Sequence, residues 1–265
     1  MSEKASQRLR REIRSGAFAK PTAGQAPGFV QANLVVVPKA HAYDFLLFCQ
    51  RNPKPCPLLE VIDAGEVAPR RLAPTADIRS DVPRYRVWVN GELAEERTDV
   101  RDLWQDDFVS FLLGCSFSFE KPLLDAGLEV RYLSCGGNVS MYRTNIACRE
   151  AGPFAGPMVV SMRPFRPADA LRAIQITGAL PQVHGAPIHQ GSPAEIGIAD
   201  LARPDYGDPQ PVEEGEIPLF WACGVTPQAV LLNARLPIAI THAPGHMFVS
   251  DVTEPELRWF SESVR

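Results

Sequence analysis

Glycine and proline set within polar motifs constrain this chain more than any other feature. Thr22-Ala-Gly-Gln-Ala-Pro-Gly28, Cys49-Gln-Arg-Asn-Pro-Lys-Pro-Cys-Pro57, Met141-Tyr-Arg-Thr-Asn145, Phe220-Trp-Ala-Cys-Gly-Val-Thr-Pro-Gln228 and Thr241-His-Ala-Pro-Gly-His-Met247 are segments that neither core packing nor helix propensity selects. Gly and Pro fix the backbone where φ is special, while Asn, Gln, Thr, Arg, Cys and His supply donors and acceptors beside it. Such segments end regular elements and build sites. With 25 prolines in 265 residues, about twice the usual share of roughly 5%, many loops must be stiff.

Between the motifs, periodicity predicts a helix over 3–15 ending at Gly16, a buried parallel strand at Leu34–Val37, and a helix with Tyr43, Leu46, Leu47 and Gln50 on one face. Strands follow at 58–62 and 85–89, the second closed by an Asn90-Gly91 hairpin turn, and a helix over 98–110. Further strands are expected at 129–133 and 158–162, and a helix over 167–176. This interleaving gives a mixed α/β fold whose sheet is covered on two sides. A smaller α+β domain, 117–215, is expected inside or beside a domain formed by 1–116 and 216–265. There is also an internal echo. Phe111–Glu120 can be laid over Leu219–Gln228, with Cys115 over Cys223, Ser118 over Thr226 and Glu120 over Gln228.

The formal net charge of −4 argues against a nucleic-acid partner, and no apolar run approaches the ~18 residues of a membrane span. Arg8, Arg10, Arg11 and Arg14, interspersed with Glu12, read as the solvated face of the first helix rather than a targeting peptide, which makes the chain cytoplasmic. Six cysteines without CxxC or zinc spacing read as reduced, mostly buried thiols, with Cys49 and Cys56 structural. Pro244-Gly245 breaks any helical metal pair between His242 and His246, and no phosphate-cradling loop occurs. No metal or other cofactor is therefore expected.

The candidate catalytic groups are His242 and His246, loop histidines whose unperturbed pKa of about 6.5 suits proton transfer, with Glu120 as an acid and Cys223 as a thiol at a strand end. Substrate-binding groups are expected at Gln31, Asn33, Arg51, Asn52, Arg143, Asn145, Thr226 and Gln228, and at Arg79 and Asp81 on one face of an extended Asp77–Asp81 strip. Backbone amides at Gly224 and Val225 are candidates for an oxyanion site. Arginines in stiff polar loops of an acidic chain suit a small anionic substrate. A homo-oligomer stays open.

Taken together, Thr22–Gly28, Gln31–Val37, Asp44–Pro57, Gly114-Cys-Ser-Phe-Ser-Phe-Glu120, Met141–Asn145, Trp221–Gln228 and Ile240–Met247 resemble the bacterial hydro-lyase family to which mitochondrial D-glutamate cyclase is similar. The resemblance runs from about Arg11 to Asp251, and Ser140 stands where the family pattern has proline. It implies a three-layer αβα domain with a smaller two-layer domain. It also implies hydro-lyase action on a small amino acid or hydroxy acid, in the cyclase case dehydration of D-glutamate to 5-oxo-D-proline. Two other readings remain: a non-catalytic small-acid binding or accessory protein of oxoproline metabolism, and a cofactor-independent amino-acid racemase using paired thiols.

Overall fold

The apolar run at Leu34–Val37 is the middle of a ten-residue strand, and its alternate side chains enter two different cores. Leu34 and Val36 pack into one, Val35 and Val37 into the other. A strand buried on both faces needs no polar alternation, which is why the run is continuous. The structure, a computed structural model, describes residues 3–260. In chain order it forms α1 (Ala5–Arg14), β1 (Phe29–Pro38), α2 (Lys39–Arg51), β2 (Leu58–Ile62), β3 (Tyr85–Val89), β4 (Glu92–Arg97), β5 (Phe108–Gly114), α3 (Phe117–Asp125), α4 (Arg131–Cys135), β6 (Ser140–Ala147), β7 (Pro157–Phe165), α5 (Pro167–Gly178), β8 (His189–Gln190), β9 (Ile217–Ala222), α6 (Thr226–Ala234), β10 (Ala239–His242), β11 (Phe248–Thr253) and α7 (Glu254–Phe260).

The first sheet has the order β2-β5-β1-β10-β3-β4, with β11 also pairing β1, and the second has the order β6-β7-β9-β8. The class is mixed α/β as expected, but every pairing is antiparallel, so the parallel assignment of β1 fails. Residues from α2 and α6 fill the core on one side of the first sheet. On the other side α3, α4 and α5 share a larger core with Val159, Leu219 and Trp221 from the second sheet. β9 lies beyond the boundary expected at 216 yet pairs only within the second sheet, so a division by sheet membership runs after Ala222.

Other expectations are corrected by packing. The segment read as a helix over 98–110 is a short 3-10 turn, Arg101–Leu103, followed by β5, which pairs with β1 along its whole length. The strand expected at 129–133 is instead α4, stopped by Gly136 at φ +72°. On α2 the buried side chains are Phe45, Phe48 and Cys49, while Tyr43 and Leu46 are exposed. The basic face of α1 is not simply solvated. Arg10 is 2% exposed, donating to the Val249 carbonyl at 2.6 Å and to both Asp251 oxygens at 2.9 Å. Among the described residues no helix is long and apolar enough to cross a membrane.

Candidate functional site

β3 sends Tyr85 and Val87 into the larger core, so by its period of two Arg84 and Arg86 face the other way. Register places β10 alongside, with Thr241 opposite Arg86 and His242 opposite Tyr85. The next residue, Ala243, donates its N–H to the Arg84 carbonyl at 2.8 Å and then accepts the His246 N–H at 2.9 Å, closing the Ala-Pro-Gly-His turn. Gly245 is required there. Its φ is +80°, and a Cβ would lie 2.6 Å from Asn138 Nδ2. From the second sheet, Tyr206 exchanges backbone hydrogen bonds with Met141 at 2.9 and 3.2 Å. Gly207 presses so closely that a Cβ would lie 1.9 Å from the Val139 oxygen. Arg84, Arg86, Glu96, Asn138, Asp205, Tyr206 and His246 thereby line a cavity of about 340 Å3.

This cavity has two electrostatic ends. Arg84 and Arg86 share one carboxylate, Glu96, at 3.5 and 2.9 Å, leaving an excess positive charge. Burial works against ionisation of Glu96, yet Arg86 and Arg84 hold its carboxyl below the usual range. Asp205 supplies a negative charge and accepts the Arg143 N–H at 2.8 Å. A zwitterion matches such a pair of ends. His246 is half-buried, and burial lowers its pKa, so it is neutral at pH 7. Its Nδ1 lies 3.0 Å from the Pro244 carbonyl, which can only accept, so Nδ1 carries the proton and Nε2 the basic lone pair.

His242 differs in kind. It is 1% exposed, its Nδ1 lies 3.2 Å from both the N–H and the carbonyl of Leu34, and burial drives its pKa down to about 4. Gln228 Nε2 donates to the His242 carbonyl at 2.8 Å. Both therefore stitch β10 to its surroundings and do not line the cavity.

The internal echo has a structural counterpart. After β5, Ser118 Oγ lies 2.9 Å from the N–H and 3.3 Å from the carbonyl of Gln31 on β1. After β9, Thr226 Oγ1 lies 3.0 and 3.3 Å from the same two groups of Val159 on β7. The Phe117 amide beside Cys115 and the Val225 amide beside Cys223, the latter expected at an oxyanion site, each favour the thiolate and so oppose the effect of burial. Both thiols are buried. Burial pushes Cys115 well up and Cys223 to about 11, so each stays protonated at neutral pH.

Glu120, two residues beyond Ser118 on α3, lies in a buried cluster. Its carboxylate accepts from the Arg163 guanidinium and from Tyr132 Oη at 2.5 Å. Arg163 also reaches Ser116 and Ser161, both at 3.1 Å, and lies over the rings of Phe119, Tyr132 and Trp221. Burial raises the Glu120 pKa while Arg163 and Tyr132 pull it back. Glu120 and Gln31 border a second cavity, of about 350 Å3, next to the Gly24–Phe29 loop.

The remaining residues singled out from the sequence are dispersed. Asn33 is buried, donating to the Gly114 carbonyl at 2.8 Å. Asn52 clasps the backbone of Phe48 and Arg149, and Arg51 donates to the Glu150 carbonyl. The Asp77–Asp81 strip is a turn, not an extended segment, because the Ser80 and Asp81 amides fold back onto the Asp77 carbonyl. Arg79 chelates Asp77, and fully buried Asp81 is held by Arg14 at 2.7 and 2.6 Å. Arg143, exposed, donates to Tyr206 Oη at 2.9 Å beside the His246 cavity, and Asn145 packs near Gly197. Sequence reading missed Arg84, Arg86, Asn138, Asp205 and Tyr206, as well as Tyr132 and Arg163. One signal was available, since an arginine inside the largely apolar stretch Met158–Phe165 needs a buried partner. Among the described residues no three His, Cys, Asp or Glu side chains gather as a metal would require.

With this geometry in place, known proteins are informative. The D-glutamate cyclase profile matches residues 109–251. A protein of Stutzerimonas stutzeri named "Putative hydro-lyase" is 59% identical, over 94% of this chain and 94% of its own. Similarly named proteins of Bordetella petrii (62% identical, over 92% and 93%) and Rubrobacter xylanophilus (60%, over 93% and 95%) align equally fully. A solved nitrogen repressor-like protein of Methanococcus jannaschii, 9% identical over 93% of this chain and 98% of its own, has a TM-score of 0.34, too low to argue from. By profile and by relatives near 60% identity along almost its whole length, the chain belongs to the D-glutamate cyclase family.

Proposed function

We propose that the protein is a hydro-lyase that cyclises D-glutamate to 5-oxo-D-proline with loss of water in the His246 cavity. The observation that carries this reading is the pairing of a guanidinium end, Arg84 and Arg86, with a neutral histidine whose Nε2 is free to act as base. Arg86 and Arg84 hold the α-carboxylate, and Asp205 receives the ammonium group. His246 Nε2 removes a proton from that ammonium, which frees the nitrogen lone pair to attack the γ-carboxyl carbon. Asn138 Nδ2 donates to the oxygen that gains charge as the C–N bond forms.

The proton inventory closes on one base. Nitrogen loses two protons in becoming a lactam, and the departing carboxyl oxygen gains two in leaving as water. His246 can carry them in turn, with no net change in charge. The family relationship supports the reaction class, and the two-ended cavity supports an amino-acid substrate. The test is mass-spectrometric turnover of D- and L-amino acids and hydroxy acids by the purified protein. Loss of one water from D-glutamate above all others is expected. Tight binding of these acids without any product would replace the enzyme with a binding protein, and solvent deuterium at Cα without dehydration would indicate racemisation.

A further inference from the structure

The second cavity, bounded by the Gly24–Phe29 loop, α3 and the start of α7, plays no part in that reaction. Its walls are largely apolar, from Phe29, Phe117, Leu124 and Leu133. Its polar groups are mostly spoken for. Glu120 is held by Arg163 and Tyr132, and Lys121 pairs with Asp125 at 2.5 Å. Two acceptors remain. Gln31 is 4% exposed, and its Nε2 donates to the Thr22 and Gln25 carbonyls at 2.9 and 3.3 Å. Those two carbonyls fix the amide orientation, because the flipped form would set oxygen against oxygen. Gln31 Oε1 is left buried with no hydrogen-bond donor among the described residues. The second acceptor is the Glu254 carboxyl, 9% exposed, which takes no hydrogen bond from the described residues.

A buried orphan acceptor and an unpaired carboxyl on one small apolar cavity call for a ligand that is cationic, rich in donors and short. We propose that this cavity is a second binding site, for a small primary ammonium compound with an apolar stem. Its –NH3+ group has three donors, enough to serve Gln31 Oε1 and Glu254 together. Without a ligand, the cost of leaving these acceptors unsatisfied falls on the protein. Burial, together with Asp125, raises the Glu254 pKa to about 7, against the pull of Lys121. Glu120, Lys121 and Asp125 on α3 are the charged groups lining the cavity with it. An alkylammonium stays charged throughout neutral pH, so its binding should follow ionisation of Glu254 and tighten as pH rises.

The test is isothermal titration calorimetry of the full chain with n-butylammonium chloride, against n-butanol and sodium butyrate. Between pH 6 and pH 8 the ionised fraction of a group of pKa about 7 rises roughly tenfold. The amine is therefore expected to bind about tenfold more tightly at pH 8, and the alcohol and the acid weakly at both. Glu254→Gln should abolish the pH dependence and leave the protein at its weak pH 6 affinity. Since Glu254 lies outside the His246 cavity, dehydration activity should be unaffected by this change. Equal binding of amine and alcohol, no binding of the amine at either pH, or unchanged binding by folded Glu254→Gln would overturn the proposal. None of these outcomes depends on what the His246 cavity turns over.

Discussion

The sharpest stability prediction concerns His242, which is buried against Leu34 with its pKa lowered to about 4 by desolvation. Since this lies below the unfolded value of about 6.5, its contribution is complete above pH 6.5 and is lost as pH falls toward 4. For these two values the loss between pH 7 and pH 5 is about 2 kcal/mol, a large part of a typical margin of ~5–15 kcal/mol. The perturbation is His242→Gln, which removes the titrating group while keeping a polar side chain near Leu34. The variant should be less stable at pH 7 by about 1–3 kcal/mol, the scale of disturbed buried hydrogen bonds. Its disadvantage should then shrink by about 2 kcal/mol by pH 5. His184, also lowered to about 4, and Glu254, raised to about 7, act in opposite senses, but both are common to the two proteins and cancel. Urea unfolding followed by circular dichroism at pH 7, 6 and 5 reads the difference directly. Parallel stability curves for wild type and variant would refute the assignment of His242 as a buried neutral group.

Removing one member of the Glu120–Arg163 pair should be more damaging than removing both, because it strands a buried charge. Arg163→Met should cost about 3–5 kcal/mol and Glu120→Gln/Arg163→Met distinctly less, as a chemical-denaturation double-mutant cycle would show. At Gly224 an added Cβ would lie 2.0 Å from Asn33 Nδ2, which is itself tied to the Gly114 carbonyl. Gly224→Ala should therefore destabilise by about 1–3 kcal/mol, and a thermal melt indistinguishable from wild type would contradict this packing. For activity, His246 must be neutral and burial lowers its pKa, so the acid limb of kcat/KM should have its midpoint below the ordinary histidine value of about 6.5. A midpoint well above that value would point to a different base.

The sequence was most legible where a local rule is self-sufficient. Asn90-Gly91 announced the β3–β4 hairpin, Gly16 closely followed the end of α1, and Pro167 opened α5. It was least legible where burial comes from distant elements. Phe108–Gly114 is buried throughout and apolar but for Ser110 because both its faces are covered, and a run of that kind carries neither the period of a helix nor that of a strand. Likewise the buried face of α2 was misjudged because Phe45 and Phe48 meet Phe111 and Phe154, partners far along the chain. The polar motifs announced that chemistry-bearing residues would be held rigidly, but not which would be spent on backbone. Asn33, Asn52, Thr226 and Gln228 fasten loops and strands, whereas Arg86 and Asp205 looked like ordinary strand and loop charges. Only tertiary contact separates these two uses of a polar side chain.

Dehydration is assigned above to the His246 cavity. This assignment is tested most directly by D-glutamate turnover of wild type, His246→Gln and Arg86→Met, each first shown to be folded by circular dichroism. Wild type should give 5-oxo-D-proline, and His246→Gln a kcat lower by about 10²–10⁴-fold, the usual contribution of a general base. In Arg86→Met the KM should rise by about 10–100-fold, as expected for losing one charge-assisted hydrogen bond. Wild-type rates in a folded His246→Gln protein would contradict the assignment.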